Sequence, residues 1–271
     1  MYDVEKLLSS INAKPAKKLS QNFLVDENFI ESEVKFANLC REDVVLDIGA
    51  GFGFLTEKLS KHAGEVIAVE LDKKLVNYLK ARFQSTKNVK IVEGDIIDLV
   101  EKLNFNKIVA NIPYELSSQI TFSLLKKNFD IAVICYQKEF AQRMAAKPGT
   151  KDYSRLSVMT DYFADASILM DVPRKSFYPQ PKVDSAIVSL KLKEEKPYDV
   201  VDEEFFFKIT ALLFQHKKQT VRNALVHSSK ILKLNKKELK LLKFPGLESR
   251  RVFTLEGREI AKISDGMKKY A

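Results

Sequence analysis

The sequence predicts an α/β chain: a mostly parallel sheet covered by helices, followed by a small helical domain. Three observations carry that prediction. Short apolar runs rich in β-branched residues recur between helical stretches, and such runs read as strands buried on both faces. A glycine-rich loop joins one of these runs to a helix, the order that a nucleotide-type binding loop requires. Past residue 195 the apolar positions recur at helical spacing and the charge turns basic.

The elements follow in order. Val44-Val45-Leu46-Asp47-Ile48 reads as a buried strand, Gly49-Ala50-Gly51-Phe52-Gly53 as a loop, and a helix is expected from Thr56 onward. Glycines let the backbone turn tightly and let a ligand approach closely. The spacing excludes two nucleotide loops. A dinucleotide fingerprint G-x-G-x-x-G needs glycine at position 54, which is Phe. A P-loop needs Gly-Lys-Ser/Thr, which does not follow. The pattern Asp47-x-Gly49-x-Gly51-x-Gly53 instead resembles motif I of S-adenosylmethionine (SAM)-dependent methyltransferases.

Val66–Val69 forms the next strand and ends in Glu70, a carboxylate able to accept hydrogen bonds from both ribose hydroxyls. Val89–Val92 is followed by Glu93-Gly94-Asp95, and an Asp there can accept from an adenine amino group. Lys107–Ala110 leads into Asn111-Ile112-Pro113-Tyr114. The Asn amide oxygen and a neighbouring backbone carbonyl can each accept one hydrogen of a planar exocyclic amine. Pro113 fixes φ and removes a competing donor, and Tyr114 offers a face for a nucleobase. Asn and Pro are also ordinary turn formers, and acids after strands also cap helices. Each of those alternatives covers one position. The ordered set of polar groups at four successive strand ends matches the place where open α/β sheets bind ligands.

Further stretches extend the pattern: Gln21-Asn22-Phe23-Leu24 preceded by Lys17-Lys18-Leu19-Ser20, then Tyr153–Val158, then Phe177–Ala186. Together with the glycine loop and Asn111–Tyr114, over about residues 15–225, the chain resembles the ribosomal RNA adenine-N6 dimethyltransferases. These dimethylate adjacent adenines near the 3′ end of small-subunit rRNA. The resemblance implies a Rossmann-like SAM-dependent methyltransferase domain with a seven-stranded, mostly parallel sheet over residues 1–195. It implies a small basic α-helical, RNA-contacting domain over 196–271. Carried over by motif position, Gln21, Asn22, Leu24, Gly49, Gly51, Glu70, Leu71, Asp95, Ile96 and Asn111 would contact SAM. Asn111, Ile112, Pro113, Tyr114 and Phe177 would be catalytic, with Tyr114 and Phe177 clamping the target adenine. Phe177 read alone is equally a core residue beside Pro179. Ile112 stands where DNA amino-methyltransferases commonly carry Pro, and leaves room for an adenine already methylated once. Two alternatives stay open: a large-subunit rRNA adenine methyltransferase of the antibiotic-resistance type, and a mainly non-catalytic ribosome-assembly factor.

Composition bounds the rest. The 271 residues are 45% hydrophobic, enough for one large α/β domain and a small one. No apolar run reaches the length of a membrane span, and Asp3 and Glu5 interrupt any signal core, so a cytoplasmic protein is expected. Cys40 and Cys135 fit no metal spacing and read as buried thiols. His62, His216 and His227 form no ligand or triad pattern, so no metal is expected. The net charge is +9, and from Lys196 onward the chain carries 17 Lys/Arg against 9 Asp/Glu, leaving 28 against 27 for residues 1–195. A near-neutral core with a basic appendage suits a polyanion, although a Lys-rich solvated helix surface gives the same count. Lys217, Lys218 and Arg222 are the candidate RNA contacts, the expected partner is small-subunit rRNA within a pre-ribosomal small subunit, and a monomer is expected.

Overall fold

Alternation along the strands decides where the candidate residues point. The computed structural model describes residues 2–14, 21–268 and 270; the Lys17–Ser20 stretch lies outside them. The chain divides into two compact units, Met1–Ala141 with Asp165–Leu192, and Gln142–Ala164 with Lys193–Ala271. The first holds α1 (Val4–Ser10), β1 (Phe23–Leu24), α2 (Glu27–Ala37), β2 (Val44–Ile48), α3 (Phe54–Ser60), β3 (Glu65–Glu70), α4 (Lys73–Arg82), β4 (Val89–Glu93), α5 (Ile96–Leu99), β5 (Lys107–Asn111), α6 (Ser117–Leu124) and β6 (Ile131–Gln137). After α7 (Lys138–Ala145) and α8 (Arg155–Phe163) the chain returns through β7 (Ala164–Val172), β8 (Phe177–Tyr178) and β9 (Ser185–Leu192).

Seven strands form one sheet in the order β4-β3-β2-β5-β6-β9-β7. β2 pairs parallel with β3 and β5, β3 with β4, and β5 with β6, while β9 runs antiparallel to β6. The chain steps outward from β2 to β4 and then returns to place β5 on the other side of β2. That reversal is the topological switch point at which such sheets hold ligands. A separate two-stranded pair sets Leu24 of β1 opposite Phe177 of β8.

Side chains two apart share a face of a strand. Val45, Val66, Val109, Val133, Cys135 and Ile187 belong to one buried cluster with Val4 and Leu8 of α1, Ile30, Val34 and Ala37 of α2, and Leu55 and Leu59 of α3. Asp47 and Asn111 lie two residues beyond Val45 and Val109, so they face the same helices.

Gly53 caps α3 in the left-handed region, at φ 75°, and the helix starts at Phe54 rather than at Thr56. A Cβ on Gly53 would stand 2.6 Å from the Phe83 ring and 2.8 Å from Leu79. Gly53→Ala is therefore expected to lower stability by about 2–4 kcal/mol, the sum of a left-handed alanine and an overpacked neighbour, read as a shift in the urea midpoint.

The second unit is helical. It holds α8, α9 (Glu203–Gln215), α10 (Val221–His227), α11 (Ser229–Leu232), α12 (Lys236–Leu241) and α13 (Gly257–Lys268), with α8 packed against α9 and α13. Phe205, Phe206, Ile209, Leu212 and Leu213, the helical-spacing positions of the sequence, are buried in its core. Tyr153, Val158 and Tyr162 join that core. This packing is why Gln142–Ala164 groups with the tail and why the division falls at Leu192–Lys193, whereas the sequence suggested a single cut at residue 195. Cys135 is buried, but Cys40 is exposed on the loop after α2, contrary to the expectation of two buried thiols.

Candidate functional site

A cavity of about 310 Å³ opens at the carboxyl ends of β2, β3, β4 and β5, in the first unit. Thirteen of the residues singled out from the sequence line it: Gln21, Asn22, Gly49, Gly51, Glu70, Leu71, Asp95, Ile96, Asn111, Ile112, Pro113, Tyr114 and Phe177. Leu24 does not; it borders a smaller neighbouring pocket with Asn22, Asp47 and Gly49. Phe23, Gly94, Glu115, Leu116, Ile120 and Cys135 also line the main cavity and were not anticipated.

The glycine loop turns its amides inward. The Gly49 and Ala50 N–H groups donate to the Val69 carbonyl, Gly53 N–H to the Ala50 carbonyl, and Gly51 N–H to Glu70 Oε2 at 2.8 Å. Four loop donors are thus committed within the protein, which removes the amide cradle that a pyrophosphate needs. Carboxylates dominate the neighbouring strand ends instead, and that field favours a cationic ligand.

Glu70 is 6% exposed. Its Oε1 accepts from the Leu71 and Asp72 N–H groups at 2.8 and 2.9 Å, and Oε2 from Gly51. Burial raises its pKa above the ordinary carboxylate range, against the pull of these three amides. The carboxylate is locked in orientation, and Oε2, which accepts from one donor where Oε1 accepts from two, keeps acceptor capacity. Asp95 caps α5, with Oδ1 accepting from Ile97 N–H at 2.9 Å; capping and ligand contact are compatible because Oδ2 is a second acceptor. Gln21 Nε2 donates to Asp72 Oδ2 at 3.4 Å, holding the entering segment to the start of α4.

Asn111 ends β5 with its Nδ2 donating to Glu33 Oε2 at 2.9 Å. Its Oδ1 is buried and has no hydrogen-bond partner among the described residues, and the same is true of Glu33 Oε1. Glu33 is fully buried, and desolvation pushes its pKa well up, with the Asn111 hydrogen bond opposing and the Asp47 charge adding. The sequence reading missed Glu33. A signal was present: Ile30, Glu33, Val34 and Ala37 form an i, i+3, i+4, i+7 stripe, and an acid on the buried stripe of an amphipathic helix needs a partner.

Tyr114 OH lies 2.6 Å from Ser185 Oγ, and burial raises its pKa. The Tyr114 and Phe177 rings stand 6.5 Å apart at 70° to each other. This is an edge arrangement, not the pair of parallel faces that the word clamp suggests, because the Ser185 contact and the β1–β8 pairing fix the two rings independently.

Lys217, Lys218 and Arg222 lie in the second unit. Lys217 Nζ donates to the backbone carbonyls of Lys151 and Tyr153 at 2.8 and 3.0 Å, so it ties down the segment before α8. Lys218 and Arg222 are exposed. Among the described residues no cluster of three His, Cys, Asp or Glu side chains could hold a metal ion, and no helix is long and apolar enough to cross a membrane.

Known proteins resemble this chain along most of its length. The probable ribosomal RNA small subunit methyltransferase A of Pyrococcus furiosus is 44% identical over 266 residues, covering 96% of this chain and 95% of that protein. Its counterpart in Methanopyrus kandleri is 46% identical over 223 residues, covering 82% and 80%. Among solved structures, a dimethyladenosine transferase from Plasmodium falciparum superposes with a TM-score of 0.78 at 30% identity, covering 91% of this chain and 98% of that one. The 23S rRNA methyltransferase ErmE shares the fold, with a TM-score of 0.64 at 24% identity over 90% and 98%. The family model for ribosomal RNA adenine dimethylases matches residues 12–247, and the chain belongs to that family.

Proposed function

We propose that this protein is a SAM-dependent enzyme that dimethylates the exocyclic N6 of two adjacent adenines near the 3′ end of small-subunit rRNA. It would act as a cytoplasmic monomer on a pre-ribosomal small subunit. The observation that carries the reading is the buried, unpartnered Asn111 Oδ1 at the wall of the cavity. A buried acceptor without a donor is unfavourable unless a ligand supplies one, and a primary aromatic amine is a donor of the right kind. Identities of 44–46% to proteins named for the small subunit, against 24% to a 23S enzyme, favour the small-subunit substrate.

The residues present fit SAM. The inward-turned loop amides and the acids at the strand ends suit a cationic nucleoside, and the cavity is of small-molecule size. Gln21, Asn22, Gly49 and Gly51 would hold it at the loop side, with Leu24 supporting them from behind. Glu70 and Leu71 would take the ribose, and Asp95 and Ile96 the adenine. Bound there, SAM supplies a methyl carbon made electrophilic by its sulfonium. Asn111 Oδ1 and the Ile112 carbonyl would each accept one N6 hydrogen of the target adenine, localising the nitrogen lone pair. Pro113 adds no competing N–H. Tyr114 and Phe177 would border the flipped base, one with a face and the other with an edge. Positioning and complementary dipoles supply the rate in this scheme.

Labelled SAM incubated with unmethylated small subunits, large subunits and naked DNA tests the reading. N6,N6-dimethyladenosine recovered from small-subunit rRNA alone is the expected result. Label in large subunits would instead favour the 23S-type alternative, and SAM binding without transfer the assembly-factor alternative. For docking, replacing Lys218 and Arg222 with Gln should weaken rRNA binding and flatten its log–log salt dependence by about two. Lys217→Ala should chiefly lower the unfolding temperature, because its ammonium already serves two backbone carbonyls.

A further inference from the structure

We propose that Glu33 is a positioning residue that sets the rotation of the Asn111 amide, so that its oxygen rather than its NH2 faces the cavity. The inference rests on the role given to Asn111 above.

An amide side chain turned by 180° about its last bond keeps its shape but exchanges acceptor for donors. At the end of β5 this exchange decides function: an oxygen toward the cavity attracts an amine, and an NH2 repels it. Nothing in β5 itself selects between the two. The selection comes from α2, which packs across β5 and β6 and carries Glu33 on its buried stripe. An ionised carboxylate has no hydrogen to donate, so the amide must present Nδ2 to it, as the 2.9 Å contact shows. The Asn111 oxygen is then left pointing away from Glu33, buried and free to accept. Glu33 does not line the cavity, so it acts through Asn111 alone.

The neutral acid behaves differently. Its O–H can donate to Asn111 Oδ1 and turn the NH2 outward. The titratable groups that face Glu33 are Asp47 of β2, Cys135 of β6 and Tyr114 after β5, none of them cationic. The charged groups of the other packed elements are engaged elsewhere: Lys58 of α3 with Glu27 and Glu31, Glu57 of α3 with Lys61 and Arg82, and Lys107 of β5 with Asp43. Only the amide therefore favours the ionised form, and burial opposes it.

The test uses Glu33→Leu and Glu33→Gln in the full chain. Leu offers no acceptor, while Gln keeps one but pairs with the amide in either rotation. Single-turnover methyl transfer at saturating SAM and substrate should fall roughly tenfold or more for Leu and only about two- to threefold for Gln, the loss of one oriented hydrogen bond. SAM Kd should stay within about twofold for both. The wild-type rate should climb with rising pH as Glu33 ionises, above the range of an ordinary carboxylate, and both variants should lack that limb. A second readout needs neither SAM nor substrate: in selectively 15N-labelled protein the Asn111 side-chain NH2 should exchange slowly in wild type and fast in Glu33→Leu. Equal amide protection in wild type and Leu overturns the proposal, as does a Leu variant that keeps the wild-type rate. If the wild type transfers no methyl group to any adenine, the functional reading fails by itself, and amide exchange still decides whether Glu33 sets the rotation.

Discussion

Asn111→Ala is expected to lower the rate of N6 methylation by about 10²–10³-fold, and SAM affinity by far less. The scale is that of removing one preorganised hydrogen-bonding group aimed at charge developing in the transition state, about 2.7–4 kcal/mol. N6 of adenine is a weak nucleophile because its lone pair is delocalised into the ring. As the new N–C bond forms, the nitrogen gains positive charge and its hydrogens become stronger donors. In the proposed role, acceptors at Asn111 Oδ1 and the Ile112 carbonyl would bind the transition state better than the ground state, and their loss would appear in kcat. The alanine also leaves Glu33 Oε2 without its donor, so the unfolding temperature has to be measured beside the rate. A fall in SAM affinity that accounts for the whole effect would remove Asn111 from the chemistry.

Asn111→Asp separates orientation from charge. The introduced carboxyl would sit against the carboxyl of Glu33 at the present 2.9 Å contact. Two acids so close hold one proton between them. The variant should retain more activity than alanine, because an acceptor still faces the amine, and its rate should follow a new ionisation. A rate equal to that of the alanine variant at every pH would show that the site needs the amide itself.

Much of this site was legible because parallel strands put functional groups at one end. Gly49, Glu70, Asp95 and Asn111 follow four apolar runs in chain order, and parallel pairing brings all four ends together at the switch point. What the sequence hid depends on side-chain direction across long separations. Glu33 meets Asn111 from 78 positions away, and only the register of α2 over β5 makes them neighbours. Lys217 has a second role that the sequence hid. Its place in a basic run suggested an RNA contact, and its ammonium also meets the Lys151 and Tyr153 carbonyls, which come from a segment the sequence assigned to the other domain. The edge arrangement of Tyr114 and Phe177 was equally hidden, since Ser185 and β1 fix the two rings from separate directions.

Asp47→Asn should raise stability at pH 8 and change it little at pH 4. Asp47 is 1% exposed beneath the glycine loop, and its Oδ2 accepts from Thr56 Oγ1 at 2.6 Å. Burial pushes its pKa up to about 7, against the Thr56 hydrogen bond, and the neighbouring Glu70 charge adds to the rise. An unfolded Asp titrates near 3.9. Between those two values the folded state binds the proton more tightly than the unfolded state, so stability is greatest below about pH 4 and declines as pH rises to about 7. Above that the loss is complete and the curve is flat. A separation of about three units corresponds to roughly 4 kcal/mol at most. Asparagine keeps the acceptor for Thr56 and has no proton to lose, so the difference between variant and wild type should grow from pH 4 to 7 and then level off. Glu33 and Glu70 also have raised pKa values, but they are common to both proteins and largely cancel in the difference. Urea midpoints at unit steps of pH measure it, and a difference that does not vary with pH would refute the assignment. A buried acid that lowers stability at neutral pH, beside a cavity, is a candidate functional group. Asp47 borders the pocket beside the main cavity, where its charge favours a cationic ligand. The stabilised asparagine variant should therefore bind SAM more weakly at pH 8 than the wild type does.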